Sequence, residues 1–193
     1  MPKPSVRLGL IALLLGTLSG VHFVSAGSSI LVGLPARADM LNLEGGVVPG
    51  REGLTLMVDQ FRDVTGGQVE LGLANLALML LALVGLGLIW QRGNASRRWR
   101  SRGGAIVLTL VGVASLLVLA RLAYVTLVEL PALAPALSEF GDAVLVRDPG
   151  LPIWLTLQAT SAALFLLAGG REWTRRATPF GPPEPDRPAQ PIG

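Results

Sequence analysis

Cysteine is absent from this chain of 193 residues, and histidine occurs once. Without cysteine, the chain forms no disulfide, no thiolate nucleophile and no iron–sulfur centre. A single histidine excludes a histidine-pair metal site and a bis-histidine haem built from this chain alone. The sequence also contains no P-loop, Gly-x-Ser-x-Gly or His-Glu-x-x-His motif, so an enzyme is the least favoured class of function.

Charge is also scarce, because Asp, Glu, Lys and Arg make up 15% of the residues, against roughly a quarter in a soluble domain. The charges are clustered and leave four apolar runs of about 20 residues, enough for a helix to cross a hydrocarbon core of roughly 30 Å. These runs are residues 8–28, 71–90, 105–128 and 151–170. We therefore predict an all-α integral membrane protein with four transmembrane helices in a bundle and short amphipathic helices in its outer loops.

The distribution of basic residues predicts how this chain is oriented. The segments before the first run, between the second and third, and after the fourth hold eleven Lys and Arg residues and three acids. The two remaining loops, residues 29–70 and 129–150, hold four basic residues and ten acids. By the positive-inside rule, the arginine-rich segments and both termini are predicted to face the cytoplasm. We expect the membrane to be the plasma membrane. Topology thus explains the pI near 10.5 without nucleic acid, and anionic lipids are expected partners of the arginines.

Two terminal segments bear on domain organisation. The first run, which contains "VSA" at residues 24–26, resembles a secretory signal, but we expect it to be retained as a signal anchor. The tail, residues 179–193, has six prolines in fifteen residues, which is typical of extended, solvated chain. The predicted organisation is a transmembrane domain over residues 1–178 and a Pro-rich cytoplasmic tail.

The outer loops carry apolar stripes at helical spacing. In the first loop, "GLPARADMLNLEGGVVPGREG" is interrupted by Gly and Pro and predicts turns. The following stretch predicts an amphipathic helix whose apolar face is formed by Leu54, Met57, Val58 and Phe61. This helix either lies on the protein's own surface or docks a partner subunit or the lipid interface. In the second loop, a similar face is formed by Leu130, Leu133, Leu137 and Phe140.

One polar residue in each apolar run stands at a similar predicted depth. These residues are His22, Asn75, Arg121 and Gln158. Counted from the outer end of each run, they lie about 7–12 Å inside, so they are candidates for one polar layer. The plainer alternative is structural: the amides and His22 bond neighbouring helices, and Arg121 snorkels outward or pairs with Glu70 or Glu129. A ligand, lipid or pigment site is the other interpretation, and His22 is an axial ligand only if a haem or pigment is present.

The first run also contains small residues at four-residue spacing, Ala12, Gly16 and Gly20. Small residues at this spacing let helix backbones approach closely in lipid, which predicts that this face packs on another helix.

These features rank three hypotheses about function. The first is an accessory or scaffolding subunit of a larger membrane complex, packed through its transmembrane faces and its outer-loop helices. The second is a small oligomeric transporter or channel that uses the layer around Arg121, and the third is an interfacial lipid-modifying enzyme. The layout of four spans is similar to that of tetraspan families such as claudins, but the Trp-Gly-Leu-Trp motif and paired loop cysteines of claudins are absent.

Overall fold

Every described secondary-structure element of the protein is helical. A computed structural model describes the backbone of residues 4–43, 51–90, 97–132 and 150–174, and the side chains of residues 4–32, 59–90, 102–132 and 150–174. The helices are α1 (Pro4–Leu43), α2 (Arg51–Trp90), α3 (Arg97–Tyr124) and α4 (Leu151–Thr174). A π-helical segment, Val125–Glu129, follows α3 without a break, and the chain stays helical to residue 132.

Each predicted run lies within one helix that is long and apolar enough to cross a membrane. The stretches with these properties are Pro4–Val32, Asp59–Trp90, Arg102–Ala132 and Leu151–Thr174. Each helix packs closely against two others: α1 against α2 and α4, and α3 against α2 and α4. The order around the bundle is therefore the order along the chain.

The buried side of each helix has a regular spacing. On α2 the buried positions alternate in steps of four and three residues from Phe61 to Ile89. Apart from Gly85, which is also buried, they are Phe61, Thr65, Gln68, Gly72, Asn75, Met79, Ala82, Leu86 and Ile89. On α4 the same steps connect Gln158, Ser161, Phe165, Ala168 and Glu172. An average spacing of 3.5 residues is that of knobs-into-holes packing, which predicts a left-handed bundle.

The two ends of the bundle differ in charge among the described side chains. At the end where α1 and α3 begin lie Arg7, Arg102, Arg171 and Glu172, and we name this the basic end. At the opposite end lie Asp59, Arg62, Asp63, Glu70, Arg121 and Glu129, and we name this the acidic end.

Two predictions about the first loop were wrong. Residues 33–43 and 51–53, predicted as turns, are helical, and residues 54–64 belong to α2 rather than to a separate short helix. The buried stripe of α2 runs through Phe61, Thr65 and Gln68 into the apolar run, so the helix continues. Extending an existing helix needs no new nucleus, which offsets the cost of an isolated Gly or Pro.

Several predictions fall beyond the described residues. The turns predicted at 44–50, the apolar positions 133, 137 and 140 and the Pro-rich tail at 179–193 all lie outside them. The side chains of Leu54, Met57 and Val58 also lie outside them.

Candidate functional site

A reciprocal pair of side-chain amides lies in the interior of the bundle. Asn75 Nδ2 donates to Gln158 Oε1 at 3.0 Å, and Gln158 Nε2 donates to Asn75 Oδ1 at 2.6 Å. Asn75 Nδ2 also donates to the backbone carbonyl of Gly16 at 2.8 Å. Both amides are fully buried, so the pair connects α1, α2 and α4 within the apolar length of the bundle.

The position of the amide pair follows from the spacing of buried residues. On α2, Asn75 falls between two hydrophobic clusters. One is formed towards the basic end by residues such as Met79 and Leu86, and the other at the acidic end around Phe61. Because the pair lies between two apolar clusters, its amides can bond each other in only one register of the helices. A shift of either helix would leave the amides unpaired.

The small residues of α1 face the neighbouring helices. A Cβ added at Gly16 would come within 2.7 Å of Ser161 Oγ, and one added at Gly20 within 3.0 Å of Asn75 Nδ2. Ala12 is fully buried, and its carbonyl accepts a hydrogen bond from Ser161 Oγ at 2.7 Å. The absence of bulky side chains on this face therefore exposes backbone carbonyls to polar groups of α2 and α4.

Three hydrogen bonds follow the contact between α1 and α4 at seven-residue intervals of α1. Ser5 Oγ donates to Glu172 Oε2 at 3.2 Å, and Ser19 Oγ donates to the carbonyl of Trp154 at 3.2 Å. The bond to the Ala12 carbonyl lies between them. The sequence prediction of a polar layer missed Ser5, Ser161 and Glu172. These residues could have been identified by their position on the buried face of each helix, but not by their depth in the apolar runs.

His22 lies against aromatic rings near the acidic end. Its imidazole stacks on the indole of Trp154 with ring centroids 4.1 Å apart and planes 11° apart, and it meets Phe23 edge to face at 5.6 Å. One face of the imidazole is therefore covered by Trp154. Among the described residues, no group of three His, Cys, Asp or Glu side chains could hold a metal ion.

Arg121 does not join the amide pair. Its side chain is 53% exposed, and Nη1 lies 2.8 Å from Glu129 Oε1 and Nη2 3.4 Å from Glu129 Oε2. The guanidinium carbon also lies 5.3 Å from the centre of the Tyr124 ring, within cation–π distance. Of the four residues of the predicted layer, Asn75 and Gln158 bond each other, while Arg121 forms an exposed ion pair along its own helix.

The π-helical segment explains how Arg121 reaches Glu129. Eight residues of uninterrupted α-helix rotate through about 800°, which leaves two side chains about 80° apart around the axis. A π-helical turn is wider, because its hydrogen bonds run from residue i to i+5, so each residue rotates the chain less. The segment Val125–Glu129 therefore turns Glu129 back towards the face that carries Arg121.

A cleft of about 570 Å³ lies between α2 and the end of α3. Its α2 side is lined by Asp63, Val64, Gly67, Glu70, Leu71 and Ala74, and its α3 side by Arg121, Val125 and Glu129. One part of the lining is charged and the other is apolar. The cleft thus presents three carboxylates and one guanidinium beside an apolar wall.

Phe61, predicted as a partner-docking residue, is buried within the chain. It packs with Val125 and Leu130, beside Ile30 and Val64. This side chain therefore contributes to the contact of α2 with α1 and the π-helical segment rather than to a free docking face.

Comparisons with known protein families, with curated proteins and with solved structures found no match to this chain.

Proposed function

We propose that the protein is an accessory or scaffolding subunit of a larger complex in the plasma membrane. It crosses the bilayer four times, with both termini in the cytoplasm. The observation that carries this proposal is the length of α1 and α2, 40 residues each. At 1.5 Å per residue each helix is about 60 Å long, twice the hydrocarbon thickness. About half of each helix therefore projects from the membrane and offers a surface to other subunits.

The spacing of aromatic side chains supports insertion of the bundle in a bilayer. Trp154 and Trp173 stand 19 residues apart on α4, about 28 Å at 1.5 Å per residue. On α3, Gly104 packs on Ile89 next to Trp90, and Tyr124 follows twenty residues later, about 30 Å away. Trp and Tyr favour the two membrane interfaces, so the spacing of these rings is consistent with the boundaries of a hydrocarbon core about 30 Å thick.

The hydrogen-bonded amides and serines between α1, α2 and α4 favour a scaffold over a transporter. The buried amides of Asn75 and Gln158 bond each other, and the hydroxyls of Ser19 and Ser161 bond carbonyls of neighbouring helices. A transport pathway needs polar groups that face a water-filled route. Arg121, on which the transporter hypothesis depends, is directed to the surface and paired with Glu129.

Native electrophoresis of solubilised membranes tests the subunit proposal. We expect the 20.2 kDa chain to migrate in an assembly of higher mass, with other membrane proteins present in fixed ratio by mass spectrometry. Migration as a monomer, or as copies of this chain alone, from its native membrane would contradict the proposal.

A tryptophan scan of exposed positions identifies the helix that contacts the partner, with the other helices as controls. Suitable positions, one per helix, are Leu14, Leu80, Leu117 and Leu167, all more than half exposed. Lipid accommodates a tryptophan on its face, so three variants should leave the assembly intact. The variant on the docking face should dissociate it.

The orientation is tested by cysteine labelling in the cysteine-free chain. Single cysteines replace Ser96, between α2 and α3 in sequence, and Ser138, between α3 and α4. With an impermeant reagent outside intact cells, Ser138→Cys should react and Ser96→Cys should react only after the cells are opened. The opposite pattern would place the acidic end in the cytoplasm and show that the inferred orientation is inverted.

A further inference from the structure

The cleft between α2 and α3 combines opposite charges in a defined order. Arg121 is paired with Glu129, so these two groups neutralise each other. Asp63 and Glu70, seven residues apart on the same face of α2, are both exposed and leave two negative charges along the cleft. The cleft is therefore suited to a group that carries a cation, and Arg121 retains unused donors beside it.

The unused donors of Arg121 are set by the geometry of its ion pair. A guanidinium has five N–H groups. The contacts of Nη1 and Nη2 with the two carboxylate oxygens of Glu129 occupy one N–H of each nitrogen. About three N–H groups remain for an anionic oxygen in the cleft.

The cleft lies at the depth of lipid headgroups when the bundle is placed by its aromatic rings. Arg121 is three residues from Tyr124 on the hydrocarbon side of that boundary, about 4–5 Å inside it. Glu129 is five residues beyond Tyr124, at the end of the π-helical segment on the other side of the boundary. The charged part of the lining thus spans the boundary, from Arg121 inside it to Glu129 outside it, beside the apolar groups Leu71 and Ala74.

Gly67 shapes the cleft in a way that the protein's own packing does not require. A Cβ added at Gly67 would meet no atom within 4 Å. Glycine in a helix costs about 1 kcal/mol relative to alanine, so packing within the chain gives no reason for it here. Its missing side chain keeps the α2 wall of the cleft low, which leaves room for a group from outside the protein.

We propose that this cleft holds the headgroup of an ethanolamine phospholipid. The primary ammonium lies between Asp63 and Glu70 and donates hydrogen bonds to their carboxylates, while the phosphate accepts from the free N–H groups of Arg121. The acyl chains follow the apolar wall at Leu71 and Ala74. A choline headgroup has no N–H to donate, and a glycerol headgroup has no cation. The cleft thus selects ethanolamine over choline and glycerol headgroups, which share the phosphate.

Native mass spectrometry of the purified full chain tests this selection. The protein in detergent is mixed with equal amounts of phosphatidylethanolamine, phosphatidylcholine and phosphatidylglycerol that carry identical acyl chains. We expect the ethanolamine lipid to be bound about fivefold more than either of the others, the size of a favourable exposed charge contact. Equal binding of ethanolamine and choline lipids would overturn the proposal.

Three variants assign the preference to the cleft. Gly67→Leu fills it, and Asp63→Asn with Glu70→Gln removes the two charges at nearly constant shape, so both should abolish the preference. Gly87→Leu is the matched control, because Gly87 also faces open space on α2 but lies outside the cleft. Retention of the preference by Gly67→Leu, with unchanged helix content, would overturn the site.

The alternative occupant of the cleft is a basic side chain of a protein partner. Cross-linking in native membranes distinguishes this side chain from a phospholipid. A photoreactive residue at Ala74, within the cleft lining, should cross-link to phospholipid, and a cross-link to protein instead would overturn the proposal. The lipid site and the proposed function both require that the protein is inserted in a membrane, and they have no other premise in common. Loss of the lipid preference would leave the labelling and native electrophoresis results as they stand.

Discussion

Replacement of Gly104 by alanine is expected to lower the free energy of unfolding by about 1–3 kcal/mol, the usual cost of overpacking. A Cβ at this position would lie 2.6 Å from the backbone carbonyl oxygen of Gly85 and 2.6 Å from Ile89 Cγ1. A side chain such as Ile89 can rotate, but a carbonyl fixed in a helix cannot move without its helix. The substitution therefore separates α2 from α3 near the basic end. The change is measured by unfolding of the purified protein in mixed detergent micelles.

The matched control for this prediction is Gly87→Ala. Gly87 lies on α2 within three residues of both contact points of Gly104, but a Cβ added there would meet nothing within 4 Å. Alanine should raise stability by up to about 1 kcal/mol through its higher helix propensity. The two glycine substitutions are thus expected to change the free energy of unfolding in opposite directions. A neutral or stabilising Gly104→Ala would show that α2 and α3 do not approach as closely as described.

The four apolar helices were predictable because an apolar run of about 20 residues leaves few alternatives to a helix. The extent of those helices was not. Polar and glycine-containing sequence at residues 51–70 predicted a change of structure, yet α2 runs through it. A helix continues where its next turn can pack against another part of the protein. Here Phe61 packs against Val125 and Leu130. That neighbour is distant in sequence, so local composition could not reveal it.

The polar residues were predicted in part. Counting residues from the ends of the runs placed Asn75 and Gln158 at one depth, and they bond each other. The same count placed Arg121 beside them, but depth says nothing about direction around the helix. Arg121 faces outward, because the buried stripe passes instead through Leu122 of α3 and Val125 of the π-helical segment. The π-helical segment, which brings Glu129 to Arg121, has no signature in the sequence that we could recognise.

Replacement of the whole amide pair is expected to cost less than the sum of the two single replacements. Asn75→Leu removes the partner of both Gln158 groups and leaves a buried amide unbonded, which costs about 1–3 kcal/mol. Gln158→Met leaves Asn75 with the Gly16 carbonyl and should cost somewhat less. In the double variant both amides are replaced by apolar groups of similar size, so no side-chain amide is left unpaired there. The double variant should therefore be more stable than the sum of the single effects predicts.

A double-mutant cycle on unfolding in mixed micelles measures that difference. We expect a coupling free energy of about 1–2 kcal/mol between Asn75 and Gln158, near the upper end for hydrogen bonds between membrane helices. Thr160→Val is the control on α4, because the Thr160 hydroxyl is exposed and bonds the carbonyl of Thr156 in its own helix. Its effect should stay within about 0.5 kcal/mol. Additive single effects would mean that the two amides do not bond each other in the folded protein. The register of α1, α2 and α4 would then depend on the small-residue contacts at Gly16 and Gly20 and on the serine hydrogen bonds between α1 and α4.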